Sequence, residues 1–249
     1  MRARGPMAIG GRMNGSTGAS ALDCVVLFDI DGTLLTGPGR SPTPGMVAMD
    51  ASAHRMTGHA GLHQRVEFAG RTDRQIARDL LLAGGRGDPT EEEVASLIET
   101  YLEALERGVR QRAYRPLGQV REAVEALRGR GAVVGLGTGN VVRGARVKLE
   151  SAGLLDLFDL SLGGYGDDAD SRDGLLRVGA LRCDPAGRMP VVVVGDTPHD
   201  VRAALAIEAR CIAVTTGFYD AEVLRASGAD DVIDVLDAGI VGRLERMLG

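Results

Sequence analysis

The stretch CVVLFDIDGTLL at residues 24–35 decides the fold of this chain. Its first half is an uninterrupted apolar run, which is typical of a parallel strand covered by helices on both faces. Two aspartates, Asp29 and Asp31, follow at the end of the run, and Gly32 and Thr33 then form a tight turn. A buried strand that ends in paired carboxylates predicts an α/β protein whose ligand binds beyond the carboxyl end of that strand.

Similar apolar runs recur along the rest of the chain. We expect strands at residues 24–29, 132–138, 157–162, 190–195, 210–215 and 232–235. Helical patterns alternate with them at residues 141–152, 172–181 and 198–209. A further helical spacing joins Leu117, Val120, Val124 and Leu127. This alternation is typical of right-handed strand–helix–strand crossovers. The sequence therefore predicts an α/β fold with a doubly wound, Rossmann-like parallel sheet core.

Residues 37–114 interrupt the alternation, because they contain helical patterns and no strand pattern. Helices are expected from Thr43, Thr72 and Thr90. Gln75 and Glu93 each follow one of these threonines at the spacing of a capping box. We therefore predict a small all-helical cap domain at residues 37–114, inserted after the first strand, and a core domain formed by residues 23–36 and 115–249.

The composition excludes several classes of protein. The chain of 249 residues carries a formal net charge of −5, which excludes a strongly basic nucleic-acid binder. No apolar run is long enough to cross a bilayer, and the cysteines lack the C-x-x-C spacing of a thiolate zinc site. We expect a reducing, cytoplasmic location with no nucleic-acid or membrane partner, while the oligomeric state stays open.

Residues 1–22 are basic, free of acidic residues and glycine-rich, and are predicted to be a disordered tail, with an organelle transit peptide as the alternative.

Four aspartates follow predicted strand ends. Asp29 and Asp31 follow the first strand, and Asp196 and Asp200 belong to the stretch GDTPHD at residues 195–200. Because the carboxyl ends of parallel strands meet at one sheet edge, we expect all four side chains to converge. Two like charges roughly 4 Å apart repel by about 4 kcal/mol at an effective dielectric constant of about 20, so raised pKa values or a hard cation must relieve the cluster. All-oxygen ligands favour Mg²⁺, which also suits a phosphate-bearing ligand.

Carboxylates beside Mg²⁺ can perform phosphoryl chemistry. One carboxylate is a credible nucleophile toward phosphorus, because the cation neutralises charge and lets the anionic phosphate approach. A second carboxyl group nearby can protonate the leaving alkoxide and later accept a proton from water.

Three motifs, in this order, resemble those of the haloacid dehalogenase (HAD) superfamily. They are FDIDGTLL at residues 28–35, Thr138 after an apolar strand, and GDTPHD at residues 195–200. The resemblance covers about residues 23–235 and is closest to the phosphoglycolate phosphatase-like group, which has a helical cap.

The resemblance implies a role for each motif residue. Asp29 is implied as the phosphoryl nucleophile, and Asp31 as the general acid/base whose main-chain carbonyl also binds Mg²⁺. Thr138 is implied as a hydrogen-bond donor to the transferring phosphoryl group. Asp196 is implied as a direct Mg²⁺ ligand. Asp200 is implied either as a further ligand or as a residue that contacts the ligands without binding the ion.

The family usually has a lysine that balances these carboxylates, and this chain departs from that pattern. Its only lysine, Lys148, lies in the helix after Thr138, and we interpret its surroundings as an ordinary amphipathic turn. Arg172 is the better match by position, so we expect Arg172 to supply the charge, with Lys148 as the alternative.

Further residues are expected to contact the substrate. Gly32 and Thr33 offer backbone N–H groups at the first turn, and Gly139 and Asn140 follow Thr138 at the second. Arg71, in the stretch Gly70-Arg71-Thr72-Asp73, resembles the cap-loop position that meets the substrate in small-molecule phosphatases of the superfamily; its other interpretation is a plain helix start.

These observations predict a Mg²⁺-dependent phosphatase that hydrolyses a small phosphomonoester, of the phosphoglycolate, sugar phosphate or nucleotide type, through an aspartyl-phosphate. A phosphomutase or phosphotransferase is the nearest alternative. A metal-independent haloacid dehalogenase is disfavoured because Asp31 is present, and a phosphonate hydrolase because residues 37–114 contain no lysine. A non-catalytic binding module is disfavoured by the intact Asp29 and Asp31. The substrate itself stays open.

Overall fold

The computed structural model describes residues 21–39 and 41–249. Nearly all of the predicted disordered tail lies outside these ranges. Leu22, which we assigned to the tail, is 5% exposed and packs into the core. Its amide donates to the carbonyl oxygen of Arg130 at 2.6 Å, so Leu22 belongs to the core and not to the predicted tail.

The core of the protein is a parallel sheet, as predicted. Its strands are β1 (Val25–Phe28), β4 (Val133–Gly137), β5 (Gly163–Gly164), β6 (Val191–Gly195), β7 (Arg210–Val214) and β8 (Asp231–Ile233). They lie in the order β5-β4-β1-β6-β7-β8, and every neighbouring pair is parallel. The order reverses direction beside β1, and this switch point is where open α/β sheets bind ligands.

Helices cover both faces of this sheet. They are α4 (Val120–Gly129), α5 (Val142–Ser151), α6 (Arg172–Cys183), α7 (Pro198–Ala206), α8 (Ala221–Ala226) and α9 (Ile240–Leu248). Side chains of β1 alternate between two hydrophobic clusters: Val26 and Phe28 belong to one, and Val25 and Leu27 to the other. The continuous apolar run of β1 is therefore explained by burial on both faces.

An insert of three helices lies between β1 and β4. The helices are α1 (Pro44–Thr57), α2 (Asp73–Ala83) and α3 (Glu91–Val109), and a short antiparallel pair, β2 (Leu35–Thr36) and β3 (Arg115–Pro116), joins the insert to the core. Capping boxes begin α2 at Thr72 and α3 at Thr90, as predicted. Hereafter "the insert" means residues 37–114. Its apolar side chains continue the hydrophobic cluster of Val26 and Phe28.

One strand prediction is wrong. Residues 157–162 do not form a strand; a 3-10 turn ends at Leu157, and the edge strand β5 is Gly163–Gly164. Glycine is depleted in strands and gives no apolar signal. A Cβ atom at Gly164 would lie 1.8 Å from the carbonyl oxygen of Leu175, so glycine is required there for α6 to pack against the strand.

Within the described ranges, no helix combines the length and the apolar character that crossing a membrane requires.

Candidate active site

A cavity of about 150 Å³ lies between the carboxyl end of the sheet and the insert. Residues from both regions line it. The sheet contributes polar side chains, which include Asp29, Asp31, Thr138, Asn140, Arg172 and Asp196; the insert contributes Met46, Met49, Phe68, Arg71, Asp73 and Ile76. The cavity therefore lies at the switch point beside β1, where ligands bind in this class of sheet.

Three carboxylates meet at the sheet side of this cavity. Asp29, Asp196 and Asp200 each offer an oxygen within 4.8 Å of the others, and all three are buried. Burial raises the pKa of Asp29 to about 6 against the lowering effect of Arg172, and Asp200 and Asp31 raise it further. Burial, followed by Asp200 and Asp29, raises the pKa of Asp196 well above its ordinary value. Buried oxygen donors that repel one another in this way fit a hard divalent cation.

The side chain of Asp31 does not join this cluster, so the predicted convergence of four carboxylates is wrong for Asp31. Its Oδ2 instead accepts hydrogen bonds from Lys148 Nζ at 2.6 Å and from Asn140 Nδ2 at 2.8 Å. β1 ends at Phe28, and Gly32 has a φ of +82°. Asp31 therefore lies in the turn, where strand alternation no longer sets the direction of a side chain.

Gly32 and Thr33 act differently from the prediction. Their amides do not point to a ligand: Gly32 N donates to the carbonyl oxygen of Leu35 at 2.9 Å, and Thr33 N donates to that of Ile30 at 3.3 Å. Both residues instead position Asp196. The Thr33 hydroxyl donates to Asp196 Oδ1 at 3.3 Å, and a Cβ at Gly32 would lie 2.3 Å from Asp196 Oδ2.

Arg172 lies between two of the clustered carboxylates. Its Nη2 is 2.9 Å from Asp29 Oδ1, and its Nε donates to Asp200 Oδ1 at 2.6 Å. The other oxygen of Asp200 accepts from the amide and the hydroxyl of Thr197, at 3.0 and 2.7 Å, at the start of α7. Both Asp200 oxygens are thus engaged, and Asp200 holds Arg172 against Asp29.

Lys148 is also part of the site, so our interpretation of an ordinary amphipathic turn is wrong. Lys148 is 6% exposed, and its Nζ donates to Asn140 Oδ1 at 2.5 Å as well as to Asp31. Burial lowers the pKa of Lys148, but Asp31 and then Tyr101, Tyr114 and Asp73 outweigh this and hold it well above the ordinary value. The signal in the sequence was the use of a single lysine in a chain rich in arginine.

Asn140 connects Lys148 to the end of β4. Its Nδ2 donates to Thr138 Oγ1 at 2.8 Å as well as to Asp31. The Thr138 hydroxyl is fully buried, and its oxygen accepts from Asn140 Nδ2 and, at 3.3 Å, from Asn140 N. Its hydrogen is therefore left for another acceptor. The structure thus brings Thr138, Asn140, Asp31 and Lys148 into one hydrogen-bonded group beside the carboxylate cluster.

The insert contacts the sheet side through Asp73, a residue that sequence reasoning missed. Asp73 Oδ2 accepts from Val141 N at 2.9 Å, and Asp73 N donates to the carbonyl oxygen of Gly139 at 2.8 Å. Burial raises the pKa of Asp73 to about 6, although Lys148 and the Val141 amide lower it. In the sequence Asp73 looks like any acidic residue in the first turn of a helix, so nothing local distinguishes it.

Gly139 and Arg71 belong to the same junction. A Cβ at Gly139 would lie 2.3 Å from the carbonyl oxygen of Arg71, so only glycine lets the insert approach this closely. The Arg71 side chain lines the cavity. Its Nη2 donates to Asp79 Oδ2 at 2.6 Å, whereas its Nε is buried without a hydrogen-bond partner.

Comparisons with known proteins agree with this architecture. Residues 26–214 match the family "Haloacid dehalogenase-like hydrolase". A relative named "Probable phosphatase IndB", from Dickeya dadantii (strain 3937), is 28% identical over 233 residues, which cover 90% of this chain and 94% of the relative.

Solved structures share the fold. A hydrolase from Pseudomonas syringae superposes with a TM-score of 0.60 at 21% identity, covering 90% of this chain and 99% of that protein. CbbY from Rhodobacter sphaeroides, solved in complex with phosphate, superposes with a TM-score of 0.64 at 16% identity, covering 86% of this chain and 95% of that protein.

Proposed function

From the match over residues 26–214 the chain belongs to the haloacid dehalogenase-like hydrolases, and we propose that it is a Mg²⁺-dependent phosphatase that hydrolyses a small phosphomonoester through an aspartyl-phosphate intermediate. The observation that carries the proposal is the placement of Asp29 at the end of β1, at the cavity and against both Asp196 and Arg172. Phosphoryl transfer of this kind needs a nucleophilic carboxylate, a second carboxylate that binds a cation, and a guanidinium that binds an anion.

Asp29 is the proposed nucleophile. A carboxylate oxygen of Asp29 bonds to phosphorus while the bond from phosphorus to the ester oxygen breaks, and the leaving group departs as an alcohol. Water then attacks phosphorus, releases inorganic phosphate and restores the carboxylate. The Ile30 amide and Arg172 favour the ionised form of Asp29, which is the form that attacks.

Asp31 is the proposed general acid and base. It lines the cavity beyond Asp29, and its side chain is 41% exposed, so it can exchange protons with a leaving group and with water. It donates a proton to the leaving oxygen in the first step and accepts one from the attacking water in the second. Lys148 and Asn140 hold the carboxylate in place for both steps.

Positive charge and donors stabilise the transferring phosphoryl group. Thr138 donates its free hydroxyl hydrogen, Arg172 supplies a guanidinium, and Gly139 and Asn140 shape the adjoining turn. Asp29, Asp196 and the main-chain carbonyl of Asp31 would hold Mg²⁺, with Asp200 as a further ligand or as the partner that orients Arg172. When bound, the ion supplies charge that lets an anionic phosphate approach a carboxylate.

Release of phosphate from phenyl phosphate, measured with the Asp29→Asn variant beside the unaltered protein, tests this proposal. We expect the variant to lose at least a thousandfold in kcat and to stay folded, because the amide is a poor nucleophile of the same size and Arg172 keeps its contact with Asp200. Chelation by EDTA should stop phosphate release by the unaltered protein, and added Mg²⁺ should restore that release. Substantial residual turnover by Asp29→Asn, or indifference to EDTA, would contradict the nucleophile or the metal respectively. A phosphomutase would instead transfer the phosphoryl group to a second hydroxyl without releasing phosphate.

A further inference from the structure

The insert lines part of the cavity with apolar side chains. Met46, Met49, Phe68 and Ile76 line it there, and Phe218, which follows β7 and is 63% exposed, adds an aromatic ring to the lining. We call Met46, Met49, Phe68 and Ile76 the apolar wall. Asp29, Asp196 and Arg172 lie together on the sheet side, so the phosphate belongs there. The alcohol part of a substrate then meets the insert side, which carries the wall together with Arg71 and Asp73.

Three polar side chains on the insert side already have partners. The Thr43 hydroxyl accepts from Met46 N at 3.3 Å and bonds to the Tyr114 hydroxyl. The Asp73 carboxylate accepts from Val141 N. Arg71 Nη2 donates to Asp79, which leaves Arg71 Nε as a buried donor with no partner. Of these three side chains, only Arg71 thus keeps a buried polar atom without a partner.

The cavity encloses a small space and opens toward solvent beside Phe218. Its volume is about 150 Å³, and a dry apolar cavity of roughly this volume in another protein accommodates one benzene molecule. The enclosed space beside the wall is therefore comparable in size to a short alkyl chain or a single ring.

We propose that the substrates of this site are phosphate monoesters of compact, largely apolar alcohols or phenols, selected by the apolar wall, with Arg71 Nε available to one acceptor on the alcohol part. The inference rests on the proposed phosphatase function and narrows it. Each hydroxyl of a sugar that is buried against the wall without a partner costs roughly tenfold in affinity. Sugar phosphates are thus rejected because their hydroxyls lose water and gain nothing.

Matched pairs of esters test the proposal. Benzyl phosphate and glucose 6-phosphate both release a primary alcohol, as do n-butyl phosphate and glycerol 3-phosphate, so each pair differs mainly in hydroxyl content. With Mg²⁺ present, we expect kcat/KM to be at least tenfold higher for the apolar member of each pair. Equal or faster hydrolysis of the polyhydroxy members would overturn the proposal.

Variants of the wall identify what selects the substrate. Met46→Gln and Phe68→Asn should each raise KM for benzyl phosphate about fivefold, with a smaller change in kcat, and should narrow the preference over glucose 6-phosphate. Leu82→Gln is the control, since Leu82 is 44% exposed on α2 of the same insert and lies outside the cavity lining. Unchanged preference in both wall variants would overturn the role of the wall.

Binding to the Asp29→Asn variant separates this proposal from the phosphatase function. Calorimetry should give tighter binding of benzyl phosphate than of glucose 6-phosphate, whether or not turnover occurs. If the unaltered protein releases phosphate from none of the esters, the phosphatase proposal fails. The calorimetric ranking of the two esters then tests the role of the apolar wall independently of turnover. Equal or tighter binding of glucose 6-phosphate would overturn that role.

Discussion

The two sides of the cavity are built on opposite principles. On the sheet side, each charged group has several partners: Arg172 contacts Asp29 and Asp200, and Lys148 contacts Asp31 and Asn140. On the insert side, the apolar wall contacts a ligand only through its shape and its lack of hydrogen-bonding groups. The comparison teaches that the chemistry of this protein depends on fixed directional contacts, whereas its choice of substrate depends on side chains that can change without altering those contacts.

After replacement of Asp29, replacement of Arg172 should have the largest effect on the sheet side of the cavity. Arg172→Met leaves two buried carboxylates without their cation, and breaking a buried ion pair from one side costs about 3–5 kcal/mol. We expect that loss in the free energy of urea unfolding, together with a fall in kcat of at least a hundredfold. Arg172→Lys should recover part of the stability and little of the rate, because one ammonium cannot reproduce the Nε and Nη2 contacts. Full activity in Arg172→Lys would contradict a directional role.

Replacing Lys148 should have a smaller effect on unfolding. Lys148→Met removes a buried cation, but its partner Asp31 is 41% exposed and can recover water. We expect a loss of about 1–3 kcal/mol, less than for Arg172→Met, because hydration replaces part of the lost ion pair. Activity should fall mainly through a lower kcat, because the Asp31 carboxylate is no longer held in place for proton transfer. Substrate binding should change less. A loss of stability equal to that of Arg172→Met, measured in the same urea series, would contradict this ranking.

Asp73 connects the two sides and should give stability a pH dependence. Because burial raises its pKa to about 6, the folded protein holds this proton more tightly than the unfolded chain between about pH 4 and pH 6. Its contribution to stability therefore falls as the pH rises through that window. Asp73→Asn removes the titration, so relative to the unaltered protein the variant should gain up to about 3 kcal/mol between pH 4 and pH 6.5. Urea unfolding at both pH values checks this, and a difference between the two proteins that does not vary with pH would refute it.

Arg71 should give the smallest change in stability of the four positions. Its ion pair with Asp79 is about one-third exposed on both sides, and pairs of this kind contribute about 0.2–1 kcal/mol. Arg71→Gln should therefore leave the unfolding midpoint nearly unchanged. We expect it instead to raise KM, and to do so more for esters that carry an acceptor group on the alcohol part than for benzyl phosphate. An unchanged KM across such a series would remove Arg71 from substrate binding.

Much of the architecture could be predicted because its signals are local. The apolar run of β1 and the capping boxes at Thr72 and Thr90 depend on neighbours within a few residues, and all three appear as expected. The turn after β1 was less predictable. Gly32 and Thr33 were expected to bind a ligand through their amides, but the turn uses those amides itself.

Arg172 and Lys148 show the limit of reasoning by position. Arg172 could be expected near Asp29 because it begins the helix that precedes β6. Lys148 was expected only as the alternative, since an amphipathic helix gives no indication of which polar side chain turns toward the interior.

By itself, the sequence determined the order of strands and helices, the place of the helical insert, and the arrival of Asp29 and Asp196 at one edge of the sheet. These follow from periodicity and from the rule that parallel strands end together. Only the tertiary structure decided that Lys148 pairs with Asp31 across 117 positions of the chain, that Asp73 joins the insert to Val141 across 68, and that four apolar side chains of the insert line the cavity. The reason is physical: such contacts depend on how separate elements pack, and their energies are set by burial, which no local pattern records.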